Sequence, residues 1–289
     1  MKTCLDCIPC FLSQSLEASR MTTNDEKIHR EVLFEVMSFL QTISFEDTTP
    51  PEISREVHHI IRRITRSKDP YAKVKNQANE TAEKLYPSLR KLVDESNDSL
   101  YMAVKLAIVG NVIDFGTMNR FNVEDMIKTS LSREDLNKED YSVFVSKLNE
   151  AKSILYVADN CGEIFFDKLL LEEFIKLGKK VTYVVRANPI INDATIVDAE
   201  YAGIHKLAEV IAGDAGSDKS APGMPLHYAS KVFLDKIYSY DMVIAKGQGN
   251  YESLSEVERE IFFLLVVKCP LVARDIGVEV GKLVLKVKR

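Results

Sequence analysis

The chain has 289 residues, 46% of them hydrophobic, so it can bury a sizeable core in one large domain or two modest ones. Its 38 Lys and Arg against 43 Asp and Glu give a formal net charge of −5, with the two signs interspersed. A nucleic-acid binder carries a basic face, and a membrane-spanning helix needs about 20 apolar residues in a row. The sequence offers neither feature, and its first residues lack the apolar core of a signal peptide. We therefore expect a cytoplasmic protein that binds neither nucleic acid nor membrane.

The cysteines do not indicate a disulfide framework. Five is an odd number, and Cys4, Cys7 and Cys10 form a C-x-x-C-x-x-C pattern at the start of the chain. Thiolates at this spacing can share a soft metal or an iron–sulfur cluster, but a closed zinc site needs four ligands and no fourth stands nearby. Small apolar side chains buried in a helix are an equally good interpretation, and the sequence leaves the choice open.

Residues 7–148 carry apolar side chains every three to four positions, which is the period of an amphipathic helix. Proline-containing segments at 47–51 and 67–70 separate these helices, and Thr23 followed by Glu26 predicts a capped helix start. His58 and His59 point about 100° apart on a helix, which favours a core or an exposed position over a metal site. We predict a helical half that extends over residues 1–150.

The segment 110–116 is unusual for this helical half. Gly110 and Gly116 enclose Asn111 and Asp114 directly after a strongly apolar helix. A glycine at the helix end explains the glycines, but it leaves the amide and the carboxylate unexplained.

From residue 151 the pattern changes to strand, turn and helix. Short apolar runs begin at residues 153, 180, 208, 241 and 261, with helical segments between them, and 282–286 adds an edge strand. This alternation implies right-handed crossovers and a mostly parallel sheet that is covered by helices on both faces. The predicted fold class is therefore α/β.

Polar residues follow three of these strands where each one ends. Asp159 and Asn160 follow the first strand, residues 186–193 the second, and residues 246–250 the fourth. Either residue of the first pair alone is explained as a helix cap, but three polar strand ends favour one ligand crevice at the carboxyl edge of the sheet. Carboxylate and amide oxygens suit Mg²⁺ or Mn²⁺, and a lysine beside a glycine-rich turn suits a phosphate. The predicted chemistry is metal-assisted phosphoryl transfer or hydrolysis.

Other nucleotide and hydrolase motifs are missing from the sequence. The glycines at 247–249 lack a third glycine at dinucleotide-fold spacing, and neither a P-loop nor a G-x-S-x-G nucleophile elbow occurs. A serine hydrolase and a P-loop enzyme are therefore not expected.

The three strand ends resemble the signature motifs of the damage-control phosphatases. Asp-Asn-Cys-Gly-Glu at 159–163, Asn-Asp-Ala-Thr at 192–195 and Lys-Gly-Gln-Gly-Asn-Tyr-Glu at 246–252 stand in the same order as in that family. The segment 110–114 is also similar to that family, and the pair Cys4 and Cys7 is typical of its compact microbial branch, so the resemblance spans nearly the whole chain. It implies an N-terminal helical subdomain, residues 1–150, packed on a three-layer α/β/α domain, residues 151–289, with a mostly parallel sheet.

The resemblance also implies a set of site residues. Asp159, Asn160 and Asp193 are the expected ligands of a divalent cation, with Mn²⁺ or Mg²⁺ preferred over Co²⁺ or Ni²⁺. Lys246 is the expected phosphate contact. Further substrate contacts are expected from Asn111, Asp114, Arg186, Gly247 and Asn250.

Three roles stay open at this level. Asp159 either attacks the phosphorus or only binds metal, Glu163 either orients a water or is a first-turn acid favoured by the helix dipole, and Arg186 either contacts substrate or is a solvated strand end. The expected activity is hydrolysis of small phosphate esters, either sugar phosphates or damaged phosphometabolites. The alternative is a regulatory protein that binds a nucleotide or phosphometabolite without turnover.

Overall fold

The computed structural model describes residues 1–111, 120–133, 136–215 and 218–288, which form twelve α-helices and one six-stranded sheet. No helix within these ranges is both long enough and apolar enough to cross a membrane. The helices of the first 150 residues are α1 (Cys7–Thr22), α2 (Glu26–Leu40), α3 (Pro50–Thr65), α4 (Ala72–Asp94), α5 (Ser99–Gly110), α6 (Arg120–Arg133) and α7 (Lys138–Glu150). The elements that follow are β1 (Ser153–Val157), α8 (Glu163–Lys176), β2 (Lys180–Val185), α9 (Ile196–Tyr201), β3 (Glu209–Ala212), α10 (Lys231–Ser239), β4 (Met242–Lys246), α11 (Gly247–Leu254), β5 (Ile261–Val266), α12 (Pro270–Ile276) and β6 (Leu283–Lys288).

The sheet has the strand order β3-β2-β1-β4-β5-β6. Its first five strands are parallel, and β6 pairs antiparallel with β5 at one edge, which confirms the mostly parallel sheet and its edge strand. On β1, Ile154 pairs with Val181 of β2 on one side and with Met242 of β4 on the other. The chain therefore turns away in opposite directions from β1 and β4, and the crevice outside such a pair is where open α/β sheets bind ligands.

Helices cover both faces of the sheet. Tyr156 of β1 faces a core that also contains Phe166 of α8 and side chains of α4, α5 and α7. Val157, the next residue, faces a second core with Phe233 of α10 and Tyr251 of α11. Because neighbouring strand residues point to opposite faces, both are buried, and the result is the predicted three-layer arrangement.

The helical half contains two packing units. Helices α1, α2 and α3 enclose a core of their own, in which Val32, Val57 and Ile61 are fully buried. In contrast, α4, α5 and α7 contribute to the same core as one face of the sheet. The change at residue 150 thus separates helices from strands, whereas the hydrophobic cores divide the chain after α3.

One predicted helix start differs from the observed one. Helix α2 is capped by Asp25, whose carboxylate accepts a hydrogen bond from the backbone N–H of Lys27, so the predicted cap at Thr23 is wrong. Thr23 instead ends α1, with an extended backbone. The capping box lies one helix later, where Thr49 donates its backbone N–H to Glu52 at the start of α3.

Candidate active site

The turns after β1 and β2 are joined by backbone hydrogen bonds. Asn160 and Asp193 form an isolated antiparallel bridge, and the Ala194 N–H donates to the carbonyl of Asp159 at 2.8 Å. The Cys161 N–H donates to the carbonyl of Asn192, also at 2.8 Å. The two motifs that the sequence separates by about thirty residues therefore form one rigid unit at the carboxyl edge of the sheet.

Two amides hold the Asp159 carboxylate from one side. Asn111, at the end of α5, and Asn160 each donate from Nδ2 to Asp159 Oδ2 at 2.8 Å. The same two amide groups also donate to Glu163 Oε2, at 2.9 and 3.2 Å. Asn111 is 2% exposed and is not part of the pocket lining, so it holds Asp159 in place, and its predicted contact with substrate stays a prediction. Asp114 lies outside the described residues.

Gly247 leaves the space that the Asp159 carboxylate occupies. It is the first residue of α11 and has φ of +77°, a value that favours glycine. A Cβ atom at this position would lie 1.8 Å from Asp159 Oδ2. Gly247 is buried and is not part of the pocket lining, so its role in the structure is one of packing, since no larger residue fits against the carboxylate. Its predicted contact with substrate stays a prediction.

Arg186 orients Asp193 from behind. Its guanidinium is 1% exposed, and its Nε donates to Asp193 Oδ2 at 2.8 Å. Its second terminal nitrogen donates to Asn250 Oδ1 at 3.0 Å, and the Asn250 amide in turn donates to the carbonyls of Ala158 and Lys246. Neither Arg186 nor the fully buried Asn250 lines the pocket, and the solvated strand end considered for Arg186 is wrong because its side chain is enclosed.

Lys246 is completely buried. Its ammonium lies 2.5 Å from Glu163 Oε1 and 2.6 Å from Asp167 Oδ1, both on α8. Tyr156 and Tyr183 donate their hydroxyls to the Asp167 carboxylate, each at 2.7 Å. The structure therefore places Lys246 in an ion-pair cluster beneath the pocket, where it pairs with Glu163, whose carboxylate accepts from the same two amides that hold Asp159.

A pocket of about 290 Å³ opens above these groups. Its lining includes the three predicted cation ligands, together with one lysine, Lys268, which follows the end of β5. The Lys268 backbone N–H donates to the side-chain oxygen of Gln248 at 3.1 Å, and its charge lowers the pKa of Asp159. Lys268 was not predicted from the sequence, although a strand-end position was the signal that identified the other site residues.

Burial and like charges shift the acids of the site. The pKa of Asp159 is raised to about 8, first by burial and then by the nearby Glu163 and Asp193 carboxylates. Burial raises the pKa of Asp193 to about 6, although the Arg186 guanidinium acts in the opposite direction. For Lys246, burial alone lowers the pKa, but Asp167 and Glu163 outweigh it and hold the pKa above its usual value. The cationic side chains nearby therefore do not fully compensate the negative charge that Asp159 and Asp193 carry when ionised.

The oxygen set fits a hard divalent cation. Within the described residues, the side-chain hydrogen bonds to Asp159 and to Asp193 end on Oδ2, so the Oδ1 atom of each carboxylate accepts none of them. The Asn160 Nδ2 is used by Asp159 and Glu163, which turns its carbonyl oxygen away from them. Three oxygens from two strand ends suit Mg²⁺ or Mn²⁺. Among the residues that the structure describes, no three His, Cys, Asp or Glu side chains are arranged to hold a metal ion. A cation at this position would therefore need the Asn160 amide oxygen as its third ligand.

The N-terminal cysteines lie at the pocket. Cys7 and Cys10 line it together with Cys269, and the sulfurs of Cys4 and Cys7 are 3.8 Å apart. Burial raises the pKa of Cys7 to about 12, which keeps this thiol protonated. The described cysteines do not form a closed metal site, and a pocket-wall position was not predicted from the sequence.

Known proteins match this chain over nearly its whole length. Residues 3–284 match the damage-control phosphatase ARMT1-like domain. The chain belongs to this family. It is 36% identical to an uncharacterised protein of Methanocaldococcus jannaschii, over 97% of this chain and 93% of that protein. A damage-control phosphatase of Archaeoglobus fulgidus is 35% identical, over 97% of each chain.

A solved structure confirms the fold. The crystal structure of a DUF89 family protein from Pyrococcus horikoshii matches with a TM-score of 0.91 and 32% sequence identity, over 100% of both chains. The family confirms the resemblance that the three strand-end motifs predicted, and it supports a phosphatase role in metabolite repair.

Proposed function

We propose that this protein is a metal-dependent phosphatase that hydrolyses small phosphate monoesters. The observation that carries the proposal is the convergence of Asp159, Asn160 and Asp193 on one pocket that also holds Lys268. Two buried carboxylates with raised pKa values indicate a place for added positive charge. A bound Mn²⁺ or Mg²⁺ would polarise a phosphoryl oxygen at this position.

Lys268 takes the role of phosphate contact in this proposal. The sequence assigned that role to Lys246, but Lys246 is fully buried between Glu163 and Asp167, whereas Lys268 is exposed on the pocket lining. A lysine at the pocket can neutralise charge that develops on the phosphoryl oxygens. Lys246 acts as a positioning residue, since it fixes Glu163, which in turn holds the amide of Asn160.

The size of the pocket limits the substrate. A volume of about 290 Å³ equals roughly ten water molecules at about 30 Å³ each. It accommodates a phosphate with a compact organic group, such as a sugar phosphate or a damaged phosphometabolite.

Phosphate release with and without added cation tests the proposal. We expect Mn²⁺ or Mg²⁺ to stimulate hydrolysis of a generic aryl phosphate, and a chelator to abolish it. Lys268→Met should lower kcat/KM by about 10²- to 10³-fold, as loss of one preorganised charge-stabilising group does elsewhere. Lys231→Met, at an exposed position on α10, is the matched control and should retain wild-type kinetics. Tight phosphate-ester binding with no turnover at any cation concentration would instead establish the regulatory protein considered above.

A further inference from the structure

Four of the five cysteines lie together at the pocket. Cys7 and Cys10, in the first turn of α1, line it together with Cys269, which directly precedes α12. Cys4 stands next to Cys7. The fold brings Cys269 to this place from the opposite end of the chain, and none of the four thiols is fully buried, in contrast to Cys161. The proposed phosphatase chemistry uses none of them.

Cys4 and Cys7 have the geometry of a pair that can form a disulfide. Their sulfur atoms are 3.8 Å apart, and the Cys7 N–H donates to the carbonyl of Cys4 at 3.0 Å, which closes a four-residue turn. Such a turn holds its end Cα atoms less than about 7 Å apart, and a disulfide spans about 4.4–6.8 Å between Cα atoms. Because the S–S bond is about 2.05 Å long, the two sulfurs need to approach by only about 1.8 Å, a movement on the scale of a side-chain rotation.

The other two thiols at the pocket have different partners. Gln14 donates from Nε2 to Cys10 Sγ at 3.4 Å. Gln248 donates from Nε2 to Cys269 Sγ at 3.3 Å. Both sulfurs are therefore held by amides, whereas the remaining two contact each other. In the part of the chain that the structure describes, no three His, Cys, Asp or Glu side chains are arranged for a metal ion, so oxidation of the closest pair fits these thiols better than a shared soft metal does.

A hydroperoxide can oxidise this pair in two balanced steps. The Cys4 thiolate attacks one peroxide oxygen, the O–O bond breaks, and Cys4 becomes a sulfenic acid while the other oxygen leaves as water or an alcohol. The Cys7 sulfur then attacks the Cys4 sulfur and loses its proton, and the S–O bond breaks to release water. The two thiols thus lose two electrons and two protons, which the peroxide takes up. Cys4 reacts first, because burial and the neighbouring Cys4 raise the pKa of Cys7 to about 12, and the Cys4 charge disappears once Cys4 is oxidised.

We propose that Cys4 and Cys7 are a redox site at which a hydroperoxide forms a reversible disulfide that changes one wall of the pocket. The Cys7 side chain lines the pocket, and the new bond draws its sulfur toward Cys4, which is not part of the lining. Asp6, which stands between the two thiols, is also on the lining, so their turn belongs to the wall. The proposed cation ligands lie on the strand ends instead. Oxidation should therefore raise KM for a phosphate ester and leave cation affinity unchanged, a consequence that rests on the proposed phosphatase function.

Intact mass and thiol counting test the site independently of catalysis. After treatment with hydrogen peroxide, we expect the wild-type protein to lose about 2 Da and two of its five thiols, and a dithiol reductant to restore both. The tryptic peptide of residues 3–20 should contain the bond. Cys4→Ser and Cys7→Ser should each abolish the change. Cys10→Ser is the matched control and should retain it, because the Cys10 thiol is held by Gln14.

Hydrolysis of an aryl phosphate and cation titration complete the test. The oxidised wild type should show KM raised at least about threefold, an unchanged cation affinity and full recovery with the reductant, while Cys4→Ser should not respond to peroxide. The inference is overturned if the protein gains oxygen atoms without forming the bond, if the bond joins Cys10 or Cys269, or if the fully oxidised protein keeps the kinetics of the reduced one. Zinc that is bound by the purified protein and released by peroxide would also overturn it. If the reduced protein hydrolyses no ester, the proposed function fails, while the mass and thiol count still decide whether the disulfide forms.

Discussion

Replacing Lys246 by methionine distinguishes a positioning lysine from a phosphate contact. The substitution keeps much of the apolar stem and removes the ammonium that lies 2.5 Å from Glu163 and 2.6 Å from Asp167. Both carboxylates are at most 1% exposed, so water cannot replace the lost charge. Breaking a buried ion pair on one side typically costs about 3–5 kcal/mol, which is a large part of an ordinary protein's total stability of about 5–15 kcal/mol.

The expected fall in melting temperature follows from this free energy. At about 2.1 cal/mol/K per residue, the unfolding entropy of 289 residues is about 0.6 kcal/mol/K, so Lys246→Met should lower Tm by about 5–8 °C. Loss of the Lys246 ammonium also releases Glu163, which holds the amides of Asn111 and Asn160. Groups that orient metal ligands in this way usually contribute 10- to 100-fold to metal affinity or activity, and we expect a loss of that size in cation affinity.

Calorimetric unfolding and cation titration measure both effects. Lys246→Met combined with Asp167→Asn should recover part of the stability, because one of the two unpaired carboxylates is then neutral. Lys180→Met, at the exposed start of β2, is the control and should change stability by less than about 0.5 kcal/mol. If Lys246→Met keeps the wild-type Tm and cation affinity but loses kcat/KM by about 10²- to 10³-fold, Lys246 is a direct phosphate contact and the positioning role is refuted.

Four further predictions address the site and its surroundings. Asp193→Ala should abolish tight divalent-cation binding and, because it leaves the buried Arg186 guanidinium unpaired, lower stability by about 3–5 kcal/mol while the protein still folds; an unchanged affinity by calorimetry would remove Asp193 from the ligand set. Gly247→Ala should destabilise the protein by about 1–3 kcal/mol and weaken cation binding, since its Cβ meets Asp159 and its backbone favours glycine; wild-type values for both would contradict the packing argument. The triple Cys→Ser variant of the N-terminal thiols should retain cation-dependent phosphatase activity, and its loss with intact folding and cation binding would place them in the catalytic site. Burial raises the pKa of Glu252 to about 7, so between about pH 4.5 and 7 the folded state holds a proton that the unfolded state has lost, and stability falls as pH rises. Over this pH range the wild type should lose about 3 kcal/mol of unfolding free energy that Glu252→Gln does not lose, as measured by denaturant unfolding. An equal dependence of stability on pH in the two proteins would disprove the raised pKa of Glu252.

The sheet and the strand-end motifs were predictable because their signals are local. Apolar runs of strand length, followed by polar turns, determine where Asp159 and Asp193 lie along the chain, and the parallel arrangement brings such turns to one edge. The prediction at the segment 110–116 was also local, since Asn111 follows an apolar helix and reaches Asp159 at 2.8 Å.

The position of Lys246 was not predictable from its own strand. A lysine after an apolar run is equally compatible with an exposed strand end, and its partners Glu163 and Asp167 belong to another element. Those two acids stand four residues apart in the first turns of α8 and are buried among apolar residues, so they share one face and face the sheet. This pattern was a signal that a buried cation exists, but only the pairing of β1 with β4 identifies Lys246 as that cation.

Lys268 escaped prediction for a different reason. It follows a strand without any neighbouring oxygen ligand, so its turn lacked the chemistry that identified the other strand ends. Its place on the pocket depends on tertiary packing, which brings the end of β5 next to the turns that carry Asp159 and Asp193.

The balance of buried charge gives a further reason to expect a divalent cation. The buried hydrogen-bonded cluster that joins Asp159 to Lys246 and Arg186 contains four carboxylates, from Asp159, Glu163, Asp167 and Asp193, and two cationic side chains, from Arg186 and Lys246. With all of them ionised the cluster has an excess of two negative charges, and the raised pKa of Asp159, about 8, follows from burial together with its acidic neighbours. One divalent ion would neutralise this excess. Binding of the ion should therefore release protons near neutral pH, and calorimetric titration in buffers of different ionisation enthalpy would detect this release. Binding with no proton release at pH 7 would contradict the charge argument.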